Sequence, residues 1–176
     1  LTLLFGQGFL ILSNCLFFRD VRICQEFFER RISKDVIDLK TINFEQLCRY
    51  DSRYFPGDRA HFLQTWINQP HGTGYAIVNS GDLVGYGVIR KAQEGFKIAP
   101  LFAESQEIAE KLFLALSTYA EGKNVHLDVP DINKQGLALI ESYKMQSMFE
   151  CVRMYTAEKP DIDWTKIFGV TTLELG

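Results

Sequence analysis

Apolar positions along this chain recur with two different periods, and the places where the period changes mark the elements. Phe96, Ile98, Leu101 and Phe102 form an apolar run that predicts a strand, bent at Pro100, which has no N–H to give to a ladder. Ser105 then stands as an N-cap, with Glu107 in the first turn. Ile108, Leu112, Ala115, Leu116 and Tyr119 follow at helical spacing up to Gly122. A strand that runs into a helix N-terminus leaves backbone N–H groups at the junction, which suits an anion.

The same reading orders the rest of the chain. Residues 1–18 are the most apolar stretch, interrupted by Gly6, Gln7, Gly8, Ser13 and Asn14. They predict two short strands, with a membrane anchor as the competing reading. The stretch opens mid-pattern on Leu1 without a basic leader, so a longer chain is expected. Arg19 to Lys34 reads as a helix or connector, and Asp35 to Thr41 as a short strand. Asn43 or Thr41 caps a helix through Phe44, Leu47 and Cys48. After the Pro56-Gly57 turn, Asp58 caps a helix whose inner face is Phe62, Leu63, Trp66 and Ile67. The tyrosines and Phe55 between Tyr50 and Phe55 are read as core or as a substrate entrance.

Tyr75–Val78 and Leu83–Arg90 flank Asn79-Ser80-Gly81-Asp82, a hairpin signal. Gly85 and Gly87 share a face and predict a bulge or a close approach. Val125, Leu127 and Val129 predict a strand ended by Pro130, and Asn133 caps a helix with Leu137, Leu139 and Ile140 inside. Phe149, Cys151, Val152 and Tyr155 predict another strand, and FGVTTLELG a last one. The order becomes strand-strand-strand-helix-strand-helix-strand-strand.

Composition changes this picture little. With 176 residues and 47% hydrophobic content, one domain can bury a full core. A net charge of -3 argues against a nucleic-acid partner, which a basic face would accompany. Cys15, Cys24, Cys48 and Cys151 form no CxxC pair, and His61, His71 and His126 are scattered, so no metal site is expected. The thiols read as buried and reduced.

FPGDRAHFLQTWI, GYGVIR, GFKIAPLFAE, LDVPDIN, ECVRMYT and FGVTTLELG carry a resemblance to the GNAT acetyltransferase superfamily. They resemble in particular the C-terminal lobe of proteins with two such lobes in tandem. Gly8-Phe9 and the apolar strands after it then look like the tail of a first lobe. The resemblance implies an α/β fold: a mixed, mostly antiparallel twisted sheet with flanking helices and a splayed central strand. It divides the chain into an N-terminal remnant and linker, 1–41, and a GNAT-like domain, 42–176. In that family the splay admits the pantetheine arm of acetyl-CoA, and amides at the following helix start bind its diphosphate.

Carried onto this chain, Leu101, Phe102 and Ala103 would hold pantetheine. Ser105, Gln106, Glu107, Ile108 and Ala109 would form the phosphate loop, and Asn133 would lie beside the thioester. The implied activity is acetyl transfer from acetyl-CoA, without a metal, directly to a small-molecule or peptide amine. Asp128 is the expected base and Tyr155 the expected acid, with Glu150 and Glu174 as further carboxylates and Arg90 and Arg153 as anion contacts. Cytoplasmic location, no membrane or nucleic-acid partner, and a homodimer or pairing with a second GNAT lobe complete the expectation.

The chain departs from the family in three places. ESQEIA has none of the usual loop glycines, and Glu104 and Glu107 put negative charge where a diphosphate would sit. Ile140 stands where many members carry an acid tyrosine, with Tyr143 nearly one turn beyond. Lys144-Met145 replaces a Gly-Phe pair. These departures support a competing reading, a GNAT-like lobe that binds or stabilises a partner without catalysis.

Overall fold

The computed structural model describes residues 10–19, 33–55, 57–155 and 160–173. Strand β1, Leu10–Arg19, is followed by β2, Val36–Asp38, and helices α1, Phe44–Asp51, and α2, Ala60–Ile67. Strands β3, Gly72–Asn79, β4, Asp82–Lys91, and β5, Phe96–Ala103, lead into α3, Gln106–Thr118. Strand β6, Val125–Pro130, α4, Lys134–Ser142, β7, Gln146–Tyr155, and the short β8, Ile167–Gly169, complete the order.

The strands form one mixed sheet in the order β2-β3-β4-β5-β6-β1-β7, with β8 on β5. Every pairing is antiparallel except that of β5 with β6. Successive side chains of a strand point to opposite faces, so Leu101 and Ala103 face one way and Phe102 the other. The first face packs under α3 and α4, in a core that includes Leu112, Phe113, Leu116, Leu127, Ile140 and Phe168. The second holds Leu39, Leu47, Tyr50, Leu63, Tyr86, Phe102 and Trp164.

Local chemistry accounts for most boundaries. Ser80 and Gly81 close the β3–β4 hairpin with φ of 52° and 92°, the left-handed pair that a two-residue turn requires. Asn43 accepts from the amides of Glu45 and Gln46, Ser105 from that of Ile108, and Asn133 from that of Gly136. Gly85 and Gly87 answer to a close approach by α3. A Cβ on either would stand 2.7 Å from Ile108 Cγ2 or Leu116 Cδ1. Asp58 accepts from Ala60 at 3.0 Å, but the cap position itself is Arg59, so the cap lies one residue later than expected.

The described part of the N-terminal stretch is a strand. Leu10–Arg19 is a single strand, because β6 and β7 pair it on both sides. A register shift between Ile11 and Ser13 absorbs the polar interruption. The expectations for residues 1–9 and for the helix or connector over 20–32 lie outside the described residues. The short strand expected over Asp35 to Thr41 divides into β2 and a 3-10 turn, Leu39–Thr41. Among the described residues, no helix is long and apolar enough to cross a membrane.

Candidate functional site

The sheet opens in one place. Strands β5 and β6 run parallel and in register only at Phe96–Val125, Lys97–His126 and Ile98–Leu127. Beyond Ile98 they diverge, at the Ala99–Pro100 cis bond, and a wedge opens toward the start of α3. A proline cannot complete a ladder, so the position of Pro100 accords with the loss of pairing there.

Strand β8 lies in that wedge. It pairs antiparallel with β5, Leu101 opposite Gly169 and Phe102 opposite Ile167. On its other side the Val170 N–H donates to the Asp128 carbonyl at 3.0 Å. Asn133 Nδ2 donates to the Ile167 carbonyl at 2.9 Å. Phe168 is wholly buried in the core beneath α3 and α4, while Ile167 and Val170 are buried on the other face. Gly169 sits close to β6: a Cβ there would stand 2.5 Å from Leu127 Cδ1, so the buried Leu127 side chain would have to shift. Burying side chains such as Ile167, Phe168 and Val170 stabilises by about 1.5–3 kcal/mol each. Together they rival the ~8 kcal/mol that a micromolar ligand brings.

Both ends of β8 are held by polar networks. Before it, the Lys166 ammonium donates to the Glu104 carbonyl and lies 3.8 Å from the Glu104 carboxylate. Arg53 pairs with the same carboxylate at 2.7 Å and stacks over Tyr50 and Tyr54. The Tyr54 hydroxyl donates to Glu104 at 3.4 Å. Burial pushes the Tyr54 hydroxyl up to about 12, with Glu104 adding to the rise. After β8, Thr171 Oγ1 accepts from both terminal nitrogens of Arg59 at 3.2 Å. Arg59 grips Asp51 with two bonds of 2.6 Å, and the Tyr86 hydroxyl donates to Asp51. Burial first, then the Asp51 charge, raises Tyr86 well above the ordinary phenol range.

The residues read from the sequence fall into separate groups. Leu101, Phe102 and Ala103 are buried on the strand that β8 borders. Both ends of the Asn133 amide are engaged, its oxygen by the Gly136 N–H and its nitrogen by β8. Ser105 caps α3 through Ile108, and the Ala109 N–H donates to the Ser105 carbonyl. Gln106 and Glu107 open the same helix, where Glu107 pairs with Lys111 at 2.8 Å. The loop side chains therefore serve the helix itself, among the carboxylates of Glu104, Glu107 and Asp35.

Asp128 and Tyr155 are not brought together. Asp128 is buried and ion-paired with Lys97. It stands opposite Phe17 of β1, which stands opposite Phe149 of β7. Tyr155 ends β7 opposite Leu10, six residues past Phe149, roughly 20 Å farther along the strand. Arg90 lies over the Trp66 ring and Arg153 over that of Trp164. Glu150 is exposed, and Glu174 lies outside the described residues. Tyr143 donates to Glu110 at 2.7 Å and packs on Phe113, and Ile140 is core. Tyr50 and Tyr54 are buried edge to face, with an open groove of about 510 Å³ beside Tyr50 walled by Arg49, Arg53, Asp82 and Glu104.

Two features were absent from the sequence reading. One is the place of β8: FGV signals a strand, but nothing local names its partner. The other is the Asp51–Arg59–Tyr86–Thr171 network. An Asp and an Arg flanking a run of aromatics are its one visible sign, and that sign is weak.

Comparison with known proteins follows the same lines. The model of a family described as acetyltransferase (GNAT) domain matches residues 47–169. The holothin acyltransferase of Pseudoalteromonas sp. (strain SANK 73390) is 29% identical over 136 residues, 76% of this chain and 46% of that protein. The uncharacterized N-acetyltransferase YitH of Bacillus subtilis (strain 168) is 25% identical over 109 residues, 61% of this chain and 38% of that one. A candidate acetyltransferase of Pyrococcus horikoshii, known from its crystal structure, superposes with a TM-score of 0.76 at 20% identity. The match covers 96% of this chain and 53% of that one, so this chain spans about half the length of the proteins it matches.

Proposed function

The chain belongs to the GNAT acetyltransferase family, and on that premise we propose that it serves as one lobe of a larger acyl-CoA-dependent N-acyltransferase. The observation that carries this reading is the family match across 47–169. A relative that is itself an acyltransferase supports acyl transfer as the reaction class. In this reading acetyl-CoA is the donor, an amine of a small molecule or peptide the acceptor, and transfer is direct. The expected partner is a second lobe of the same fold, since the relatives are about twice as long.

The test is release of the CoA thiol from acetyl-CoA and longer acyl-CoAs across a panel of amines. It uses the protein at the full length of its reading frame. Amine-dependent release supports the proposal, and no release with any donor overturns it. A second reading, a lobe that does not itself take the donor, is favoured by one observation: β8 pairs with β5 at Leu101 and Phe102, two of the residues the resemblance assigns to the donor arm.

A further inference from the structure

We propose that β8 permanently replaces the pantetheine arm in this lobe, so that its splay is closed to acyl-CoA by the chain's own strand. The inference rests on the reading that the whole protein is an acyl-CoA-dependent transferase, and it assigns the donor to a site outside this splay.

Three observations carry it. The edge of β5 at Leu101 and Phe102 is paired with Gly169 and Ile167, the backbone positions an extended arm would need. Asn133, which the family pattern sets beside the thioester, has both ends of its amide engaged, one of them on β8 itself. The strand is also built into the fold rather than laid on it. Phe168 is wholly buried, a Cβ at Gly169 would displace the buried Leu127 side chain, and both flanks are tied, to Glu104 through Lys166 and to Arg59 through Thr171. A strand held by two cores and two polar networks does not yield to a ligand of ordinary affinity. The start of α3 agrees: Ser105 caps its own helix, and Glu104 and Glu107 oppose a diphosphate.

Hydrogen–deuterium exchange of the 176-residue chain, with millimolar CoA or acetyl-CoA, tests the proposal. Peptides covering Leu101–Ala103 and Ile167–Val170 are expected to exchange at the same rate with and without either probe. A probe-dependent change in either peptide overturns the proposal, because the strand then gives way to the arm. Heat on titration with both peptides unchanged supports it, since the probe then binds elsewhere. The variant Gly169→Ala shows that the assay sees a loosened strand: exchange over Ile167–Val170 is expected to rise about tenfold or more, as overpacking weakens the pairing.

The readouts separate this proposal from the one it rests on. Acyl transfer by the full-length protein with β8 unmoved supports both. Failure of all transfer removes the transferase reading and leaves the closed splay as measured. Turnover by this chain alone, with release of β8, removes the closed splay and keeps the transferase.

Discussion

The two ends of β8 are held by networks of opposite character. After the strand, Asp51 and Arg59 have side chains only 2% and 8% exposed, with the Tyr86 hydroxyl and Thr171 completing their bonds. Before it, Arg53 is 50% exposed and Glu104 29%, and Lys166 reaches the same carboxylate at 3.8 Å. A buried pair is costly to leave half complete, because the remaining charge keeps its desolvation penalty. An exposed pair exchanges protein partners for water at little cost. The inner network is therefore a structural requirement, and the outer one a modest latch.

That contrast predicts a ladder of effects. Arg59→Ala is expected to cost about 3–5 kcal/mol in urea unfolding, because Asp51 is left buried without its counter-charge. A loss below about 1 kcal/mol would make the inner network no different from the outer. Tyr86→Phe removes one bond to a buried carboxylate and should cost about 1.5–3 kcal/mol. At the other end, Lys166→Ala or Glu104→Gln is expected to change stability by less than about 1 kcal/mol. Added salt should reduce that difference further, as it does for exposed charges. An outer variant as costly as Arg59→Ala would erase the comparison.

Alkali sharpens it from another side. The Tyr54 hydroxyl, pushed up to about 12 by burial, stays protonated in the folded state after the unfolded state has begun to ionise. A group whose folded value is raised contributes stability that is fully present below its unfolded value, near 10 for a phenol. The contribution is lost as pH climbs from there toward about 12. Tyrosinate absorbance should show Tyr54 titrating near that upper limit, while Tyr86, raised much further, ionises only when the fold opens. Titration of Tyr86 ahead of Tyr54 would contradict the deeper burial of Tyr86 beside the Asp51 charge.

The fold was legible wherever its cause is local. Asn43, Ser105 and Asn133 each bond amides two or three residues ahead, so the cap and its helix are written within a few positions. The Ser80-Gly81 turn needs only two left-handed residues. Periodicity placed Leu112 and Leu116 on the buried side of α3 and Val125, Leu127 and Val129 on one face of β6. The resemblance to GNAT proteins pointed to the β5–α3 junction, and β5 and β6 do part just before it. What was missed is non-local. Nothing in Leu10–Arg19 itself names β6 and β7 as the strands that pair it on both sides.

The sequence by itself determined the elements, their caps and the apolar faces that build two cores about one mixed sheet. Those follow from short-range hydrogen bonding and from the period of burial, which a linear pattern records. Only the tertiary structure decided which strand lies in the splay, and that Asp51 meets Arg59, Tyr86 and Thr171 at one point. A strand's edge carries the same N–H and C=O groups whatever its side chains, so its partner is set by packing. Here the packing of Phe168 and the close contact of Gly169 with Leu127 seat β8 between β5 and β6.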